Sequence, residues 1–138
     1  LKGALRGRKC EAHGADLHMF LPDAGIGTYA DTVVFCGPME TYKARKDVFT
    51  NPTLVVEVLS PSTEMYDRFE KFAAYRTAPS FAEYLLVSQD RAQVEISTRQ
   101  ADGAWLQRVI RGLKESVELS SISVRLPLAE IYERVELA

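Results

Sequence analysis

The chain has 138 residues, of which 46% are hydrophobic and 26% charged, with a formal net charge of −2 and a sequence pI near 5.7. That length suits one domain with a real core, and that balance argues against disorder. No apolar run approaches the roughly 20 residues of a membrane span, no basic-then-apolar leader stands at the start, and the acidic balance argues against a protein that coats nucleic acid nonspecifically. An enzyme acting on DNA needs only a local basic strip and is not excluded. Two cysteines, Cys10 and Cys36, are too few for a disulfide scaffold and fit a reducing cytoplasm.

Along the chain, Leu1 to Lys9 places Lys2, Arg6 and Lys9 at helical spacing and reads as a helix end. Cys10 to Leu21 is roughly strand-like, and Pro22-Asp23-Ala24-Gly25 is a turn. Tyr29 to Cys36 predicts a strand closed by Gly37-Pro38, and the polar stretch Glu40 to Asn51 predicts a loop. Leu54 to Leu59 is apolar on both faces except at Glu57, the pattern of a strand covered on both sides. Ser60-Pro61-Ser62-Thr63 breaks it. A helix follows, capped by Asp67 with Glu70 at capping-box spacing, burying Phe69, Phe72 and Ala73 and ending at Pro79.

Glu83 to Ser88, Gln93 to Thr98 and Trp105 to Ile110 predict three strands, the last two joined through the hairpin signal Asp102-Gly103. Short strands over Val117 to Leu119 and Ile122 to Leu126 precede a last helix that starts at Pro127 and carries Leu128, Ile131, Tyr132 and Val135 on one face. The fold class is therefore α/β, a mixed β-sheet flanked by helices with a C-terminal run of antiparallel strands, in one domain spanning residues 1–138.

Three residues carry the chemistry. A carboxylate inside a doubly covered strand costs several kcal/mol unless a cation or donors meet it, so Glu57 needs a partner. An exposed edge or a structural Arg would answer that need without any function. Asp31 precedes the other convincing strand and can converge with Glu57 if the strands are neighbours, or it merely caps a turn. Two convergent carboxylates repel unless a divalent cation sits between them, and hard oxygen ligands suit Mg²⁺ or Mn²⁺. Lys71 reads alone as a surface pair with Asp67, but beside two carboxylates its ammonium could orient water and stabilise charge on a phosphate. Tyr75, one turn on, could help or simply pack.

Tyr29-Ala30-Asp31-Thr32-Val33-Val34, then Leu54 to Thr63 with its Glu57-Val58-Leu59-Ser60-Pro61-Ser62-Thr63 run, then Asp67, Lys71 and Tyr75, then Glu83-Tyr84, resemble the Uma-two family of candidate restriction endonucleases. The likeness runs from about Tyr29 to the C-terminus. It implies the PD-(D/E)xK nuclease fold, with Asp31, Glu57 and the backbone carbonyl of Val58 as metal ligands and Mg²⁺ or Mn²⁺ as cofactor. The superfamily usually places its lysine two residues after the acid, where this chain has Leu59, so the resemblance makes Lys71 a substitute supplied from the following helix. Ala30 stands where the first acid is customarily preceded by proline. The resemblance also implies that an N-terminal part of the family domain is missing here.

Cys10, His13, His18 and Cys36 lack the CxxC pair of a zinc site, and a continuous strand would point the two histidines to opposite faces. Gly25-x-Gly27 is not a phosphate loop. Ser60 and Ser62, with no nearby His, read as turn formers. Lys43, Arg45 and Lys46 form a solvated patch that could track phosphates. The expected function is metal-dependent hydrolysis of DNA by a cytoplasmic homodimer, whose two-fold axis would match that of the duplex. The rival expectation is a catalytically inactive module of the same fold that binds nucleic acid or a protein partner.

Overall fold

The structure is a computed structural model that describes Leu1, Leu5 and residues 9–133. The expected N-terminal helix end falls largely outside the described residues, as does Val135 of the last helix.

The organising element is a six-stranded sheet. In spatial order it contains β1 (Cys10–His13), β4 (Thr32–Cys36), β7 (Leu54–Val58), β8 (Glu83–Val87), β9 (Gln93–Arg99) and β10 (Trp105–Arg111). It is mixed: β7 and β8 run parallel, with Leu54 opposite Glu83, and the other neighbours are antiparallel. The apolar run Leu54-Val55-Val56, with its two β-branched valines, lies in its interior because side chains alternate between two faces that are both covered. Val33, Val55, Tyr84 and Leu86 enter one core, with Tyr75 and Phe81. Val34, Leu54, Leu85 and Val87 enter the other, with Val117, Leu119 and Leu128.

The first core is closed by α1, residues 64–75, whose middle, Tyr66–Lys71, is wound in the wider π register. The second is closed by the antiparallel pair β11 (Ser116–Leu119) and β12 (Val124–Pro127) and the single turn α2 (Leu128–Ile131). A four-stranded sheet stands beside these, in the order β3 (Ile26–Thr28), β2 (His18–Leu21), β6 (Arg45–Phe49) and β5 (Thr41–Tyr42). The β9–β10 hairpin turns as expected at Asp102-Gly103: Gly103 takes φ +88°, and the Asp102 carboxylate accepts the Ala104 N–H at 3.0 Å. Among the described residues no helix is long and apolar enough to cross a membrane.

Four local expectations are corrected. The polar stretch Glu40 to Asn51 is not a loop but the hairpin β5–β6, anchored where Asn51 accepts the Glu40 N–H at 2.8 Å and donates to the Pro38 carbonyl at 2.9 Å. Cys10 to Leu21 is not one strand, since β1 and β2 belong to different sheets. The cysteines are not free: Cys10 and Cys36 sit opposite one another across β1 and β4, with Cα atoms 4.0 Å apart, and are bonded as a disulfide. Finally, Asp67 does not cap α1. It lies inside the helix, its N–H donating to the Thr63 carbonyl at 2.8 Å. The chain turns into α1 through Ser60, whose carbonyl accepts from Thr63 and Glu64.

The buried stripe of α1 follows from that start. It runs Asp67, Lys71, Ala74, Tyr75, the i, i+4, i+7, i+8 spacing of one helix face. Phe69, expected to be buried, is 60% exposed, while Phe72 is half-buried against the core. Hydrophobicity alone misreads this helix because its inward face carries charges.

Candidate active site

Asp31, Glu57 and Lys71 meet at one end of the large sheet. The register pairs Thr32 with Val56, so the next position outward sets Asp31 beside Glu57, both on the α1 face by the alternation of side chains. Two hydrogen bonds lock them. The Asp31 N–H donates to Glu57 Oε1 at 3.1 Å, and the Val58 N–H donates to Asp31 Oδ2 at 2.7 Å. Asp31 is exposed, whereas Glu57 is 2% exposed.

Lys71 comes down from α1 onto the pair. Its ammonium forms an ion pair with Glu57 Oε2, donates to the Tyr29 carbonyl at 2.8 Å and lies 3.9 Å from Asp67 Oδ1. The lysine is 8% exposed, so Coulomb attraction there is far stronger than in water. The Asp67–Lys71 pair, the simpler alternative for this lysine, is buried rather than at the surface and is the longer of its two ion pairs. Asp67 is the residue that sequence reasoning underrated. The signal was its place four residues before Lys71 and eight before Tyr75.

One buried cation thus faces two buried carboxylates, Glu57 and Asp67, with the exposed Asp31 tied to Glu57 through its backbone N–H. The electrostatics register that burial. Burial pushes the Glu57 carboxyl up to about 7, against the opposing pull of Lys71 and the Asp31 N–H. Burial also raises Asp67, again opposed by Lys71, and the Asp31 charge adds to the rise. Tyr75 is fully buried; burial, reinforced by Glu57, holds its hydroxyl protonated. It packs in an aromatic cluster with Phe81, centroids 5.3 Å apart, and Tyr84, 5.8 Å apart. Tyr84 in turn donates its hydroxyl to the Asp67 carbonyl at 2.8 Å, which fixes α1 over the site.

The sequence profile of the Uma2 family, described as "Putative restriction endonuclease", matches residues 1–129. The chain belongs to the Uma2 family. It is 36% identical over 128 residues to an uncharacterized protein of Synechocystis sp. (strain PCC 6803), covering 93% of this chain and 66% of that relative. A second uncharacterized protein of the same organism is 30% identical over 117 residues, covering 85% of this chain and again 66% of the relative. The chain therefore spans about two thirds of the length of these curated relatives. A crystal structure from Anabaena variabilis, described as a putative nuclease belonging to DUF820, superposes with a TM-score of 0.72 at 16% identity, over 95% of this chain and 73% of that one. At that identity the likeness is one of fold, and the fold is nuclease-like.

Other sequence-marked groups lie elsewhere. Cys10 and Cys36 are spent on each other. His18 stacks on Tyr29, ring centroids 4.9 Å apart, and His13 lies 3.6 Å from Glu11. Ser60 hydrogen-bonds Thr63 through their hydroxyls at 2.8 Å and is a turn former. In the β5–β6 hairpin Arg45 is held by Asp47 at 3.1 Å, which leaves Lys43 and Lys46 as the cations of that patch.

Proposed function

We propose that this chain is a divalent-metal-dependent endonuclease that hydrolyses phosphodiester bonds of DNA at the cluster of Asp31, Glu57 and Lys71. The observation that carries the reading is a cluster in which one buried ammonium serves two buried carboxylates, Glu57 and Asp67, with a third, Asp31, at its exposed edge beside Glu57. A buried excess of negative charge is unfavourable unless a cation offsets it, and Mg²⁺ or Mn²⁺ suits an all-oxygen donor set. Asp31 fits the part of a ligand: one oxygen is held by the Val58 N–H, while the other makes no hydrogen bond among the described residues. Asp31 and Glu57 would hold the ion, with the Val58 backbone carbonyl at the rim.

When bound, the cation supplies a Lewis acid that polarises the phosphoryl group and lowers the pKa of water. The chain's own residues do the rest. Lys71 offers an ammonium that stabilises the charge growing on the phosphate oxygens as water adds to phosphorus and the P–O ester bond breaks. Glu57 and the Tyr29 carbonyl aim that ammonium, because both engage it at once. Asp67 approaches the same nitrogen from within α1 and adds its charge to that hold. A homodimer, one active site per strand, completes the proposal and would appear as a dimeric mass by light scattering at micromolar concentration.

The test is nicking of supercoiled plasmid with Mg²⁺ or Mn²⁺, wild type beside Glu57→Gln and Lys71→Ala. Wild type should nick, and both variants should lose about 10² or more in rate. Wild-type protein that binds metal yet never nicks DNA, in a chain carrying the full length of its relatives, would replace this reading with the inactive binding module.

A further inference from the structure

A second face of α1 lines a groove that the cluster does not use. Residues three and four apart share a helix face, so Arg68, Phe72 and Arg76 run beside the row of Asp67, Lys71 and Ala74. With Phe69 and Trp105 they line an open cavity of about 610 Å³, within the roughly 300–1,000 Å³ of small-ligand sites.

Its walls carry aromatic rings, two arginines and one carboxylate, Glu95. Phe72 stacks on Tyr84 with centroids 5.0 Å apart and planes 6° off parallel, and meets Trp105 edge-on at 5.1 Å and 83°. Phe69 leaves 60% of its surface in water. The Arg76 guanidinium lies 4.6 Å above the Phe72 ring. Arg68 is neutralised by Glu95 at 2.6 Å and Glu64 at 3.3 Å. Arg76 makes no ion pair among the described residues.

We infer that this groove takes an unstacked base of single-stranded DNA, the base against Phe69 and Trp105 and its phosphate at Arg76. The exposed ring of Phe69 and the half-buried ring of Trp105 beside a guanidinium without an ion pair supply the two elements with which proteins hold single strands, since every base has a π-face and every linkage a charge. An apolar peptide would leave that guanidinium facing greasy surface, and the charge favours an anionic chain. The ligand class rests on the nuclease reading. The inference deepens that reading, because α1 walls both groove and cluster and the Tyr84 hydroxyl ties the groove floor to the Asp67 carbonyl.

Trp105 is the only tryptophan in the sequence, so its fluorescence reports the groove alone. The experiment titrates a thymidine oligonucleotide of about ten residues, within the range such grooves cover, into the protein in EDTA. Wild type should show saturable quenching of Trp105, and Phe69→Ala and Arg76→Glu should each weaken binding by about tenfold. Both side chains are exposed, so the variants fold, and circular dichroism checks it. No quenching overturns the inference. So does oligonucleotide binding, seen by anisotropy of a labelled strand, that both variants leave unchanged. Quenching that grows with protein concentration without DNA would assign the groove to a second copy and equally overturn it. Glu57→Gln separates this from the nuclease reading: it should abolish plasmid nicking and leave metal-free quenching unchanged. If wild type quenches but a chain carrying the full length of its relatives never nicks, the groove stands and the nuclease reading falls.

Discussion

Replacing Glu57 by glutamine keeps the shape of the side chain and removes its proton equilibrium. Burial holds the Glu57 carboxyl at about 7 in the folded chain, against 4.5 when unperturbed. A group whose folded value is raised stabilises the native state fully below its unfolded value, and that contribution is lost as pH rises through the folded value. For Glu57 the window runs from about pH 4.5 to about pH 7, and at ~1.4 kcal/mol per pH unit the loss is about 3 kcal/mol. An amide at that position has no such contribution to lose. Urea unfolding of wild type and Glu57→Gln in EDTA, at pH 5 and pH 8, should show the variant gaining about 3 kcal/mol on wild type between the two conditions, a midpoint change of about 1–3 M. Loss of the Lys71 counter-ion shifts both variant values down together, because the variant lacks that ion pair at either pH, and leaves the difference intact. A pH-independent difference, or one of opposite sign, would refute a carboxylate raised by its burial beneath α1.

Other consequences are simpler to measure. Phe81→Ala should cost about 3–5 kcal/mol, since Phe81 is fully buried, whereas Phe69→Ala should change stability by less than about 0.5 kcal/mol; equal costs in urea would mean that α1 is rotated from its place here. Glu83 is fully buried and accepts from the Ser121 N–H at 2.7 Å, the Ser121 hydroxyl and the Thr98 hydroxyl at 2.9 Å, so Glu83→Ala should cost about 2–4 kcal/mol by stranding those donors. A stability unchanged by that variant would contradict the clamp between β8, β9 and the turn after β11. Reducing the Cys10–Cys36 bond, which closes a separation of 26 residues, should lower unfolding stability by about 2–4 kcal/mol; dithiothreitol that leaves the urea midpoint in place would show the thiols to be unpaired.

The interior strand β7 was legible because a β-branched run interrupted by a single acid fits few places other than a covered strand. The meeting of Asp31 with Glu57 was legible once the two apolar stretches were taken as neighbours. The face of α1 was not. Helical periodicity equates buried with apolar, and here Asp67 and Lys71 occupy the buried row while Phe69 faces water. The hairpin β5–β6 was hidden because Arg45, Lys46 and Asp47 are exposed, so its strand has no alternation to read. The disulfide was hidden for a different reason. Cys10 and Cys36 are brought together only by the pairing of β1 with β4, a long-range contact that no local pattern encodes. The family resemblance marked Asp67 without a role; the 3.9 Å approach to Lys71 gives it one.

The nuclease reading stands or falls on whether Asp31 and Glu57 form a site for a divalent cation. Calorimetric titration of Mn²⁺ into wild type and Glu57→Gln at pH 8, where the Glu57 carboxyl is ionised, decides the matter. Wild type should show a single site, exothermic or endothermic, and the variant an affinity at least about tenfold weaker. Mn²⁺ bound as tightly by Glu57→Gln as by wild type would contradict it.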